Sequence, residues 1–200
     1  MLMDSLSDAF PPNTTDTNKK HELATTHSTI HSQVCHIIRA DGQYIDDITS
    51  KYFKGVHRWL PIISKKRFNK RLTNLKVLPT ADFSILLLTM RLITQYPSKD
   101  LEKEQDREVL YLATKTLFTQ VQSFVPSSIY IIQAGVLLAT YEHAHAMIEA
   151  SYVTIGTTAR MAFAAGLHNK QCSNESKGTD DWLEEEEALS TWWGLVICDR

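Results

Sequence analysis

Apolar positions recur at intervals of three and four residues through almost every long segment of this chain, the spacing that lines one face of a helix. Tyr44 to Phe53 has this period. So do Phe83, Leu87, Met90 and Ile93, which follow a candidate N-cap at Thr80, and Leu110, Ala113, Leu117, Val121 and Phe124. Pro97 and Pro126 supply the stop signals for those two helices. Ile129 to Tyr141 is apolar on every side, which predicts a buried helix, capped by Ser127 or Ser128 and continuing toward Met147. Ile148, Tyr152, Ile155, Ala159 and Ala162 mark the face of the next helix, and Gly166 is placed to end it in the left-handed conformation. Its small residues Gly156, Ala159, Ala162 and Ala165 predict close approach by a neighbour. In the last helix Leu189, Trp192 or Trp193, and Val196 or Ile197 form the stripe, after Glu184 to Glu187 at the end where the helix dipole favours negative charge. No segment alternates apolar and polar residues between Gly-rich turns, so the predicted class is all-α, a loosely solenoid-like bundle of about six to eight helices.

Residues 1–40 are rich in Ser, Thr, Asn and Asp and poor in aliphatic side chains. Such a composition buries too little apolar surface to offset the entropy of ordering, so it predicts a mostly disordered arm ahead of a folded domain over 41–200. His27, His31 and Cys35 stand at i, i+4 and i+8, one face of a helix, yet three ligands without a fourth do not make a structural zinc site. Asn169 to Asp181 reads as a polar loop, and Trp59 to Ile63 as an apolar wedge that Pro61 keeps from being helical throughout.

Charge narrows the function classes. The 21 basic and 23 acidic residues leave a net charge of -2, which argues against a nucleic-acid binder that works by bulk positive charge. The exception is local: Lys65, Lys66, Arg67, Lys70 and Arg71 put five cations in seven residues. They suit a nuclear localisation signal or a phosphate-contacting patch, but also a solvated helix face with Phe68 and Leu72 turned inward, and the last is favoured because such clusters are common on soluble helices. No basic n-region leads into an apolar core at the N-terminus, and the longest strongly apolar run, thirteen residues, is too short to span a bilayer. Cys35, Cys172 and Cys198 are odd in number and far apart, which fits a reducing compartment.

No P-loop, dinucleotide fingerprint, H-E-x-x-H or nucleophile elbow is present. His143 and His145 are two apart and diverge on a helix, and His168 follows a helix end, where an imidazole meets terminal carbonyls. Asp180-Asp181-Trp182-Leu183-Glu184 looks like a variant of the magnesium-binding motif of all-α terpene synthases, but the second motif of that family is missing. An enzyme is therefore not expected, and no catalytic, cofactor, metal or DNA-binding residue is assigned.

Arg160-Met161-Ala162, then Gly166-Leu167-His168, then the acidic lead into Trp192-Trp193 and Asp199-Arg200, resemble in order and spacing the fungal-specific transcription factor domain. This is the middle homology region of fungal zinc-cluster regulators. Tyr52 to Ile63 is similar to the start of that domain, so the resemblance covers roughly residues 45–200. Where many members carry arginines before the paired tryptophans, this chain has Ala188-Leu189-Ser190, and Asn169-Lys170 follows His168. The resemblance implies a nuclear regulatory domain that controls DNA-templated transcription. Its expected partners are a second copy, as a homodimer, or a transcriptional co-regulator, with a small molecule as effector and no membrane. The family's zinc cluster needs six closely spaced cysteines, so zinc and DNA contact are expected only through a module outside this chain, which holds no cofactor of its own. The alternative is a helical protein-interaction module in transcription that does not bind DNA; the third is the magnesium-dependent enzyme. Two finer expectations follow. Arg160 should be partly buried and paired with Asp199, and the domain, lacking a stop signal at Arg200, should be incomplete at its C-terminus.

Overall fold

The structure, a computed structural model, describes residues 14–40, 42, 44–74, 79–96, 99–125, 127–170 and 179–200. Among these residues eight α-helices follow one another: α1 (Thr14–Ala40), α2 (Ile45–Lys54), α3 (Lys65–Thr73), α4 (Ala81–Ile93), α5 (Leu101–Phe124), α6 (Ile129–Ala144), α7 (Ile148–Ala164) and α8 (Thr179–Cys198). Single 3-10 turns lie at Val56–Arg58 and Leu167–Asn169, and no strand occurs among the described residues. The fold is all-α, as the periodicity predicts. Pro97, Pro126, residues 1–13 of the arm, and most of the 169–181 loop with Cys172 lie outside the described residues.

Two helices form the centre. From Ala81 to Leu92 every residue of α4 is buried, and α6 is buried from Ile131 to Ala139. Neither helix offers a face to water along these stretches, and neighbours cover both. Around α4 pack α1, α2, α5 and α6; around α6 pack α4, α5, α7 and α8. Ser128 caps α6 by accepting from the Ile131 N–H at 3.4 Å while donating to Asp82 Oδ2 at 2.5 Å, which ties the two starts together.

The expected disordered arm is, from Thr14 to Ala40, helix α1. Composition conceals a narrow stripe: Ile30, Val34 and Ile38, four residues apart, are all buried against α4. The polar residues on that side are satisfied as well. His27 Nδ1 accepts the Ala81 N–H at 3.0 Å, filling the capping role that the Thr80 side chain leaves open, and His31 Nδ1 meets Ser84 Oγ at 3.0 Å. Burial, with Arg39 nearby, holds the His31 pKa below its ordinary value, so the neutral ring is the packed form. Cys35 Sγ lies 3.4 Å from His31 Nε2. At the far end Arg91, buried in α4, donates to the Ile37 carbonyl at 2.6 Å and satisfies an acceptor in the last turn of α1.

Four other expectations are corrected. In α7 the inward face is Ser151, Thr154, Ile155, Thr158 and Ala162, whereas Ile148 and Tyr152 are exposed. The close approach instead uses a glycine of α6: a Cβ on Gly135 would stand 2.2 Å from Thr158 Oγ1. Thr154 and Thr158 hydroxyls donate to carbonyls one turn back, at 2.8 and 2.7 Å, and so enter the core without unmet polar atoms. Arg160 falls on the outer side of this rotated helix and is exposed, as is Asp199; the pair does not form. Trp59 is also exposed, and Leu60, Ile62 and Ile63 make the wedge. Gly166 does adopt φ 70°, directly after the last turn of α7.

Candidate functional site

Two features of the surface and near-surface could carry function: the basic helix α3 and a pocket beside α5.

Helix α3 is built from the five cations, and Phe68 is its buried anchor. Two of the cations, Arg67 and Lys70, meet the acidic start of α8. Arg67 spans two glutamates, with Nη1 2.5 Å from Glu187 Oε2 and Nη2 3.0 Å from Glu184 Oε2. Lys70 Nζ is 2.6 Å from Asp180, and this contact holds the Asp180 carboxyl below its ordinary pKa. Arg71 reaches toward Thr80 Oγ1, and Lys65 lies over the Phe53 ring. The Lys70–Asp180 pair is exposed on both sides, and solvent screening leaves pairs of that kind little to contribute to stability. Glu187 is different, because its carboxylate is buried.

Around Glu187 the chain assembles a polar hub. Its Oε1 accepts the Ser64 N–H at 2.9 Å and the Gln133 amide at 3.0 Å. Gln133 Nε2 also donates to the Ile62 carbonyl at 2.7 Å, and Thr191 Oγ1 reaches the same carbonyl at 3.0 Å. Burial, reinforced by the Glu187 charge, pushes the Tyr52 phenol far above its ordinary pKa. The hub clamps the extended 60–64 segment between α6 and α8. Gly194 lets the strands of chain meet there, since a Cβ at that position would lie 2.3 Å from Ile62 Cγ2. Sequence reasoning missed Gln133 and Thr191. The available signal was a lone amide in an otherwise apolar run, a group that cannot be buried without partners.

These contacts bear on the magnesium motif. Asp180, Asp181 and Glu184 share a cleft with Arg67, Lys70 and Arg71, so fixed cations already stand where a metal–diphosphate would be needed. Among the described residues no group of three or more His, Cys, Asp or Glu side chains is arranged to hold a metal ion. His27, His31 and Cys35 do share a face, and it is spent on docking α1. His168 packs its ring near Phe163 and Trp192, at 4.9 and 6.1 Å between centroids.

Beside α5, a pocket of about 540 Å³ is lined by Leu101, Glu104, Arg107, Tyr111, Tyr141 and His145. Tyr141 stacks on His145 at 4.0 Å and on Tyr111 at 5.7 Å. Arg107 Nη2 pairs with Glu104, while its Nη1 is buried with no hydrogen-bond partner among the described residues. Behind the aromatic wall, Glu142 is fully buried and receives Lys115 at 2.5 Å, Tyr111 at 2.9 Å and Thr154 at 2.5 Å. That second hub holds α5, α6 and α7 together. No described helix is long and apolar enough to cross a membrane.

Comparison with known proteins identifies the family. The family model for the fungal-specific transcription factor domain matches residues 49–200. Transcription factor BOA15 of Botryotinia fuckeliana (strain B05.10) is 38% identical over 148 residues, 72% of this chain and 80% of that protein. Transcription factor AN6788 of Emericella nidulans is 27% identical over 156 residues, which cover 77% of this chain and only 23% of that protein. No solved structure matches. Both relatives are transcription factors, which points to a non-enzymatic role. The chain belongs to the fungal-specific transcription factor domain family, and its role is regulatory, in transcription.

Proposed function

We propose that this domain works in the nucleus by protein contact, with a second copy or a co-regulator, and sets the activity of a DNA-bound complex whose zinc-cluster module lies outside residues 1–200. The observation that carries this is the engagement of α3. Arg67 and Lys70 of the basic segment are bound to α8 carboxylates, so they are not held out toward a phosphate backbone. Fused to an unrelated DNA-binding domain, the chain is expected to change transcription of a reporter carrying that domain's sites. Alone, it should hold no stoichiometric zinc and bind DNA without sequence preference, at most weakly, at physiological salt. Tight, site-specific binding by the isolated chain, or a tethered fusion with no effect on the reporter, would refute the proposal.

A small-molecule effector has a specific observation in its favour. The Arg107 pocket has a volume within the range of drug-sized sites, stacked aromatic rings, and one buried guanidinium donor that lacks a partner among the described residues. Its chemistry suits a planar aromatic carboxylate that would lie along the rings and accept from Arg107 Nη1. 2-Naphthoate is expected to raise the melting temperature of the wild-type chain and to leave Arg107→Gln unchanged. Equal shifts in both proteins, or none in either, would remove this pocket from consideration.

A further inference from the structure

On α1, Cys35 stands one turn beyond His31 and one turn before Arg39, so the three side chains share a face of the helix. Cys35 Sγ lies 3.4 Å from His31 Nε2, and His31 Nδ1 lies 3.0 Å from Ser84 Oγ on α4. Ser84 in turn donates its hydroxyl to the Thr80 carbonyl at 3.0 Å. A hydroxyl has one proton, so Ser84 receives the Nδ1–H of His31, and Nε2 is left as the unprotonated nitrogen that accepts the Cys35 S–H. This tautomer satisfies all three contacts and runs them in one direction, from thiol to imidazole to hydroxyl to carbonyl. A thiol held against the free nitrogen of an imidazole whose other nitrogen is fixed by a third group is the arrangement of an activated nucleophile. Cys198, also half-buried, is built differently: its neighbour is Thr140 Oγ1 at 3.7 Å, a hydroxyl that is no base.

Cys35 also opens on a pocket. A cavity of about 490 Å³ lies where the end of α1 meets the start of α2, with Cys35, Ile38, Arg39, Tyr44 and Ile45 in its lining. The volume is that of a small-molecule site, and the lining shares no residue with the Arg107 pocket. We propose that Cys35 captures an α,β-unsaturated carbonyl compound in this pocket, with His31 as the base. The apolar part of the compound lies against Ile38 and Ile45, and its carbonyl oxygen turns to the Arg39 guanidinium. Sγ bonds to the β carbon as the S–H proton passes to His31 Nε2. The electron pair of the double bond moves toward the carbonyl oxygen, where Arg39 stabilises the enolate charge, and the proton then passes from the imidazolium to the α carbon. The adduct keeps every atom of thiol and ligand, so no leaving group, oxidant or reductant is needed. Addition to a double bond asks only for these parts: a soft nucleophile, a base, and a cation for the oxygen.

The charge states agree with those roles. Burial pushes the Cys35 thiol above its ordinary pKa, with Arg39 opposing, so little free thiolate forms at neutral pH and attack depends on a base. Burial, then Arg39, holds His31 below its ordinary value, so the imidazole is unprotonated at neutral pH and able to be that base. Arg39 is the charge that bears on the pair from α1, while the group facing His31 from α4, Ser84, carries none.

The test uses the 200-residue chain carrying Cys172→Ser, treated with 4-phenylbut-3-en-2-one and read by intact mass and peptide mapping. At neutral pH one adduct per chain is expected, on Cys35, formed roughly 10-fold or more faster than on Cys198. His31→Gln should slow the reaction of Cys35 by roughly 100-fold, the lower end of what a positioned general base contributes. Because His31 also docks α1, the pH profile separates its two roles. With His31 present, the rate should rise as the imidazole loses its proton, below its ordinary pKa, and then stay level through neutrality. In His31→Gln it should rise only as the thiol itself ionises, above its ordinary pKa. Unfolding in urea should erase the advantage of Cys35 over Cys198. Labelling of Cys35 no faster than that of Cys198, a rate with His31 present that follows thiol ionisation alone, or an advantage that persists in urea would each overturn the inference. So would a His31→Gln chain that reacts at the parent's rate. The reporter fusion is assayed without an electrophile, so the regulatory role and this site are refuted by different results.

Discussion

Gly135→Ala is expected to destabilise the domain by about 2–3 kcal/mol, a loss at the upper end of overpacking effects in cores. The added methyl would stand 2.2 Å from Thr158 Oγ1, 2.9 Å from Thr158 Cγ2 and 3.1 Å from Phe118 Cζ. Thr158 cannot swing aside cheaply. It is short and β-branched, its hydroxyl is bonded to the Thr154 carbonyl at 2.7 Å, and it is fully buried. The helices α6 and α7 must separate instead, which opens their close contact at Gly135. Thermal unfolding should show a fall of roughly 5–10 °C for a chain of this size. Adding Thr158→Ala removes both crowding atoms, and at least half of the loss should return. Gly156→Ala is the counterpart, since nothing lies within 4 Å of the Cβ it would add. There the same substitution should stabilise by about 0.5–1 kcal/mol through helix propensity alone. Equal effects at the two glycines would show that the α6–α7 approach is not as described.

Glu187→Ala is expected to cost about 3 kcal/mol, near the lower bound for breaking a buried ion pair. Three donors lose their acceptor: the Ser64 N–H, the Gln133 amide and Arg67. Gln133 is fully buried and keeps the Ile62 carbonyl for one of its N–H groups, while the part-buried Ser64 N–H has no other acceptor among the described residues, and an unsatisfied donor there is costly. Arg67 softens the loss, because it is partly exposed and keeps Glu184. Glu184→Ala, on a side chain that is 62% exposed, should therefore change stability by less than about 1 kcal/mol. Urea unfolding of the two variants checks the contrast. A smaller effect at Glu187 than at Glu184 would mean that the run of four glutamates acts only as a diffuse charge at the helix start.

That run shows how far the sequence could be read. Period and caps gave the helices, and the buried α6 was evident from its apolar residues on every side. What periodicity could not supply was the identity of the inward face where polar residues fill it. Ser151, Thr154 and Thr158 of α7 satisfy their hydroxyls on carbonyls of α6 and α7 or on Glu142, so they pack closely where Tyr152 could not. An assignment by hydrophobicity turned that helix outward by most of a quarter turn and brought Arg160 with it. In α1 the stripe Ile30, Val34 and Ile38 was one residue wide and sat among Ser, Thr and His, whose role as caps and linkers to α4 depends on partners about fifty residues away. The candidate site was less legible still. Lys65 to Arg71 and Glu184 to Glu187 each stand out in the sequence, but only the fold brings them face to face across more than a hundred residues.

Arg67 and Lys70 tie the basic segment to α8, and the proposed role by protein contact rests on that engagement. A double-mutant cycle with Arg67→Met and Glu187→Gln, read by urea unfolding, tests it most directly. The account predicts a coupling of about 1 kcal/mol or more between the two positions, with the double variant less destabilised than the sum of the singles. Additivity within about 0.5 kcal/mol would contradict it.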